Sequence, residues 1–184
     1  MVLLLALLTG VVAQSPTEPG ATALPFRCEA PPGDYQPYDL QAGDTLSARV
    51  RLVRTNPDRT WYPAAGLVFV LPQKKTYAGV QLYVDPNNRD KLTIAIKLPG
   101  DASSPRAFAT VPIGANVPIS AHLENGTLTV VAAGIEETAR VKAPVIKSRM
   151  LMCSSGAFDF ELGSGVQIAP NGEQQVDKPP ERGN

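Results

Sequence analysis

Residues Val117–Val141 read VPISAHLENGTLTVVAAGIEETARV. Val117, Ile119, Ala121 and Leu123 alternate with Pro118, Ser120, His122 and Glu124, and Leu128, Val130 and Ala132 then alternate with Thr127, Thr129 and Val131. A period of two puts one apolar set on one face of a pleated strand, toward a core. Between the two runs stands Asn125-Gly126, the dipeptide suited to a two-residue type I′ turn, whose central residues both need positive φ. Gly134 allows a second reversal into Ile135–Val141. The stretch predicts an antiparallel meander.

Outward from it, the same alternation recurs. Thr45–Arg54 sets Leu46, Ala48, Val50 and Leu52 against Ser47, Arg49 and Arg51. Gly66–Leu71, GLVFVL, is apolar on both faces and suits a central strand. Gly79–Val84 turns Val80, Leu82 and Val84 inward and Gln81 and Tyr83 outward. Lys91–Leu98 alternates most cleanly, and Ser148–Cys153, Ala157–Leu162 and Gly165–Ile168 read as later strands. Pro25–Pro37 is proline-rich and reads as extended chain with at most an edge strand. Eighteen prolines and fifteen glycines punctuate these runs, as many short strands joined by tight turns require. The expectation is an all-β, antiparallel two-sheet sandwich over residues 26–169, with nothing repeating as a propeller or solenoid would.

Seventeen basic residues balance seventeen acidic ones, so no phosphate-binding charge excess exists and nucleic acid is not an expected partner. Val2–Leu8 is an aliphatic run too short to span a bilayer, followed by small residues at Val11-Val12-Ala13. It reads as a secretory signal over residues 1–13, with an uncleaved anchor as the alternative and no membrane span in the mature chain. Residues 14–25 read as a flexible linker, and 170–184 as a disordered polar tail. The two cysteines, Cys28 and Cys153, suit an exported chain that pairs them; two separate buried thiols are the alternative.

The order AGLVFVL, YAGVQLYVD, KLTIAIKL, VPISAHLENGTLTVVAAG and FDFELGSGVQI resembles the concanavalin A-like lectin/glucanase jelly roll, particularly its laminin-G-like branch. That family displays an Asn-Gly-x-Leu-x-Val hairpin and returns a closing strand beside its N-terminal one. The resemblance covers about Phe26 to Ile168. It implies a secreted recognition module that binds carbohydrate, with an extracellular or cell-surface protein as the other partner class. It also implies two rivals, a glycoside hydrolase or lyase acting on polysaccharide and a structural or protein-interaction domain.

Retaining glucanases of this superfamily carry Glu-x-Asp-x-x-Glu on one strand, and no such triplet occurs here. The nearest carboxylate pair is Asp159 and Glu161 in FDFEL, read either as catalytic or as a solvated outer face. His122, the single histidine, lies on a polar strand face, and Gly-x-Ser-x-Gly is absent, so no catalytic residue is assigned. Asp85, Asn87 and Asp90 offer hard oxygens to calcium, although Arg89 sits among them and Asn/Asp also suit a tight turn. The ligand-binding expectation falls on Trp61 and Tyr62 with Arg59 close by, and on outward Tyr83. Aromatic faces stack on sugar rings and dominate protein contacts alike, while a Trp61 that caps the core is the alternative. Asn125-Gly126-Thr127 formally matches a glycosylation sequon.

Overall fold

The computed structural model describes residues 24–56, 61–73, 76–100, 105–142 and 145–170. Thirteen strands follow in order: β1 Leu24–Glu29, β2 Tyr35–Gln41, β3 Thr45–Thr55, β4 Ala64–Val70, β5 Tyr77–Asp85, β6 Asn88–Lys97, β7 Arg106–Pro112, β8 Val117–Glu124, β9 Thr127–Ala132, β10 Ile135–Arg140, β11 Ser148–Ser154, β12 Gly156–Leu162 and β13 Gln167–Ile168. They form a six-stranded sheet, β1-β12-β3-β8-β9-β10, and a seven-stranded sheet, β13-β2-β11-β4-β5-β6-β7. Every pairing is antiparallel. The expected sandwich is therefore the architecture observed, and β12 closes beside β1 as the resemblance implied. Among the described residues no helix is long and apolar enough to cross a membrane.

The central meander forms as its alternation dictates. Asn125 and Gly126 take φ of 49° and 72°, and Ala133 and Gly134 take 51° and 79°, so both reversals use left-handed pairs. These turns set Glu124 opposite Thr127 and Ala132 opposite Ile135. The inward faces of the two sheets meet in one core, with Leu46, Leu67, Leu82, Ile94, Phe158 and Phe160 fully buried. Each such side chain stabilises the fold by roughly 1.5–3 kcal/mol through burial. β4 is buried on both faces for a separate reason. Its outward Val68 packs with Met150 and Met152 of β11, and Tyr35, Val70 and Tyr77 lean on that second cluster.

Cys28 and Cys153 form a disulfide with Cα atoms 6.1 Å apart. The two strands are not sheet neighbours: the bridge runs from β1 in one sheet to β11 in the other.

Three strand expectations change. The proline-rich lead holds two strands, and β2 carries Pro37 within it. β11 pairs with β2 along its length, whereas β13 reaches only Leu40 and Gln41. Pro37 thus stands where no described strand needs its missing N–H. β7 was not expected; it is an edge strand with a register shift against β6, and its alternation is correspondingly weak. The sequence also reads as a polar loop over Asp85–Asp90, and the connection is a two-residue turn at Pro86-Asn87 between β5 and β6. The expected signal segment, most of the linker and nearly all of the polar tail lie outside the described residues.

Candidate functional site

Strand register assembles the outward face of the seven-stranded sheet row by row. Tyr35, Ser154, Ala64, Tyr83, Thr93 and Thr110 stand opposite one another across β2, β11, β4, β5, β6 and β7. The next row is Pro37, Met152, Gly66, Gln81 and Ala95, and the third is Asp39, Met150, Val68, Gly79 and Lys97. Gly66 and Gly79 add no side chains to this face, and Val68, Met150 and Met152 cover its middle with Tyr35 and Tyr77 packed against them. The carboxamide oxygen of Gln81 is buried with no hydrogen-bond partner among the described residues.

Trp61 and Tyr62 lie at the Tyr83 end of this face. The Tyr62 carbonyl accepts from Ser154 Oγ at 3.2 Å, and the Pro63 carbonyl accepts from Val84 N–H at 2.9 Å. These bonds tie the segment to the ends of β11 and β5. The two aromatic rings nevertheless stay 42% and 46% exposed, so Trp61 is no buried core cap. Tyr83 is half-buried; burial and the Asp85 charge raise its phenol pKa, while a hydrogen bond with Thr93 opposes them. The Tyr35 hydroxyl donates to Met150 Sδ at 3.6 Å, and burial, then Tyr77, hold its pKa well above the usual phenol value. The backbone therefore runs the Trp61-Tyr62 segment past the Tyr83 end of β5, while Arg59 lies outside the described residues.

Sequence reasoning missed Tyr35, Met150 and Met152. The signal was present, since Tyr35, Pro37 and Asp39 alternate with Gln36, Tyr38 and Leu40, but the prolines masked it.

Asp159 and Glu161 lie on the opposite layer, on the outward face of the six-stranded sheet. They line a shallow cleft of about 440 Å³ with Arg27, Arg49, Arg51 and Asn116. Arg27 Nε donates to Asp159 Oδ1 at 2.7 Å and Arg51 Nη2 to Oδ2 at 2.9 Å. Both carboxylate oxygens are thus engaged by guanidinium groups. The bond from Arg27 lowers the Asp159 pKa most, Arg51 adds to it, and burial opposes both. A general acid needs the reverse shift. Three guanidinium groups against two carboxylates leave the cleft nearly self-neutralised.

This clamp has a pH consequence. A folded-state pKa below the unfolded value means the contribution is present above the ordinary carboxylate range, near pH 4, and is lost as pH falls below it. Equilibrium denaturation should show Asp159→Asn losing part of the wild type's destabilisation on the acid side, below about pH 4, with parallel curves at neutral pH. Identical acid limbs in both proteins would contradict the clamp.

The remaining candidates have local roles. His122 Nδ1 lies 3.0 Å from both Thr45 Oγ1 and the Asp44 carbonyl. Asp85 Oδ1 accepts the Asn87 N–H at 2.8 Å, which builds the turn. Asp85, Asn87 and Asp90 thus sit on one tight connection, and no group of three or more His, Cys, Asp or Glu placed for a metal occurs among the described residues.

Scans against protein-family models and curated proteins return no match to this chain. Similar solved structures include a carbohydrate-binding module from Bacillus subtilis, at 12% identity over 70% of this chain and 74% of that one, with a TM-score of 0.42. A galectin from Caenorhabditis elegans matches at 9% identity over 74% and 95% respectively, TM-score 0.44. A β-1,3-1,4-glucanase derived from a mouse hindgut metagenome matches at 9% over 75% and 69%, TM-score 0.40. These likenesses concern the fold and nothing finer. By its own sheet order the chain is an antiparallel two-sheet β-sandwich.

Proposed function

We propose that this chain is an exported, non-catalytic recognition module that binds carbohydrate on the outward face of its seven-stranded sheet. The observation that carries the reading is the exposed Trp61–Tyr62 pair held beside the Tyr83–Thr93 row. An aromatic ring stacks on the apolar C–H face of a pyranose while nearby hydroxyls and amides bond its hydroxyl groups. Gln81 stands one row from Tyr83, and its unmet oxygen favours a donor reaching it, while buried Thr93 holds Tyr83 by a hydrogen bond. The disulfide supports export, because such bonds persist in oxidising compartments. The doubly clamped Asp159 supports recognition over glycoside cleavage.

A glycan-array screen followed by calorimetry tests this reading. Trp61→Ala and Tyr83→Ala should each weaken binding of the best array sugar by about tenfold or more. Asp159→Asn should leave it unchanged, and so should chelation of calcium, because Asp85 is already committed to its turn. Equal affinity in the aromatic variants, or loss in Asp159→Asn alone, would refute the assignment.

A further inference from the structure

Both cysteines of this chain are spent in the disulfide, and the sulfur atoms that remain among the described residues are the thioethers of Met150 and Met152. The two methionines are two residues apart on β11, so both rise from the outward face of the seven-stranded sheet, roughly 6.5 Å apart at the backbone. Both are buried, at 7% and 9% exposure. The Tyr35 hydroxyl draws their ends toward one point: its oxygen lies 3.6 Å from Met150 Sδ and 4.0 Å from Met152 Sδ. A hydroxyl has a single hydrogen to give, so two acceptor sulfurs share one donor. Tyr77 approaches the same hydroxyl from β5, and Val68 packs with both methionines.

We propose that Met150 and Met152 bind a soft monovalent metal ion, copper(I), between their two sulfur atoms. Thioether sulfur is a soft, uncharged donor, and it selects copper(I) over zinc, magnesium or calcium. The surroundings favour a single positive charge. Met150 stands across from Asp39 of β2, an exposed carboxylate whose charge reaches the Tyr35 phenol and which has no ion-pair partner among the described residues. One carboxylate beside one monovalent ion leaves the site neutral, whereas a divalent ion would stay half-compensated against an apolar floor. Met152 is flanked in register by Gly66 on one side and Pro37 on the other, so no long side chain is set against its sulfur. To reach a metal–sulfur bond of roughly 2.3 Å, each sulfur must close on the shared point by more than about 1 Å, a movement that the three rotatable bonds of a methionine supply. The Tyr35 hydroxyl then gives up the sulfurs and keeps Tyr77 as its neighbour. The site uses none of the residues assigned to carbohydrate, so the two readings stand or fall separately.

Silver(I), a redox-inert counterpart of copper(I), is the probe, added as the nitrate in chloride-free buffer to the full chain carrying isotope-labelled methionine methyl groups. One equivalent should shift the methyl signals of both Met150 and Met152 and saturate there, while zinc and calcium at the same concentration leave them in place. By calorimetry, Met150→Leu and Met152→Leu should each weaken silver binding by about tenfold or more. His122→Ala should leave it unchanged, because His122 stands on the other sheet. Leucine is close to methionine in volume and keeps the packing, and circular dichroism with the melting temperature checks the fold. Copper(I) delivered from a competing chelator should rank the variants in the same order. The proposal is overturned if either methyl signal of the wild type stays in place, if zinc moves the two signals as silver does, or if silver affinity survives either leucine variant.

Discussion

Removing the Cys28–Cys153 bridge is expected to lower the free energy of unfolding by roughly 3–5 kcal/mol. The bond closes a loop of sequence separation 125, and the entropy withheld from the unfolded chain grows with loop length. Its position adds to its weight. Among the described residues β1 is an edge strand paired only to β12, and the bridge fastens it to β11 in the other layer. The double variant Cys28→Ala with Cys153→Ala, compared with reduced wild type by urea denaturation, separates the cross-link from the small cavity the alanines leave. Both should lose most of the stated amount. A loss below about 1 kcal/mol in both would mean the unfolded chain is already constrained without the bond.

Gly79→Ala is expected to cost about 3 kcal/mol or more, the upper range for overpacking. A Cβ built there stands 2.2 Å from the Leu67 carbonyl oxygen and 2.8 Å from the Val68 Cα. Both obstacles are backbone of β4, at the point where Val68 and Gly79 pair. They can yield only if β4 and β5 part, which breaks the centre of the seven-stranded sheet. Gly66→Ala meets the Val80 carbonyl oxygen at 2.7 Å and should cost less. Gly43→Ala meets nothing within 4 Å and should fall within about 0.5 kcal/mol of wild type. Thermal or chemical denaturation of the three variants should reproduce that order. If Gly79→Ala melts with Gly43→Ala, the close approach of β4 and β5 is not a feature of the protein in solution.

The sheet layers were legible where one face of a strand is buried and the other is wet, because burial then writes a period of two into the sequence. β3, β8 and β9 are of this kind, whereas β6 shows the alternation although Thr93 and Ala95 are buried along with Leu92, Ile94 and Ile96. β7 was not, since an edge strand with a register shift buries too little to impose a pattern. β2 was hidden by Pro31, Pro32 and Pro37, whose local meaning differs once β13 is seen to stop short of Pro37. For the candidate site, outward placement of Tyr83 followed from alternation alone. The separation of Tyr83 from Asp159 did not, because which layer a strand joins is decided by long-range pairing that leaves no local mark. The two guanidinium groups on Asp159 were equally out of reach. Arg27 and Arg51 flank it only through the order β1-β12-β3.

The most direct test of the recognition account is amide chemical-shift mapping on labelled protein, titrated with the best sugar from the array. Binding on the aromatic face predicts that the largest changes fall on Tyr62, Gln81, Tyr83 and Thr93, with Arg51, Asp159 and Glu161 unmoved. The largest changes on Arg51, Asp159 and Glu161, with Tyr83 silent, would place the ligand on the opposite layer and contradict the account.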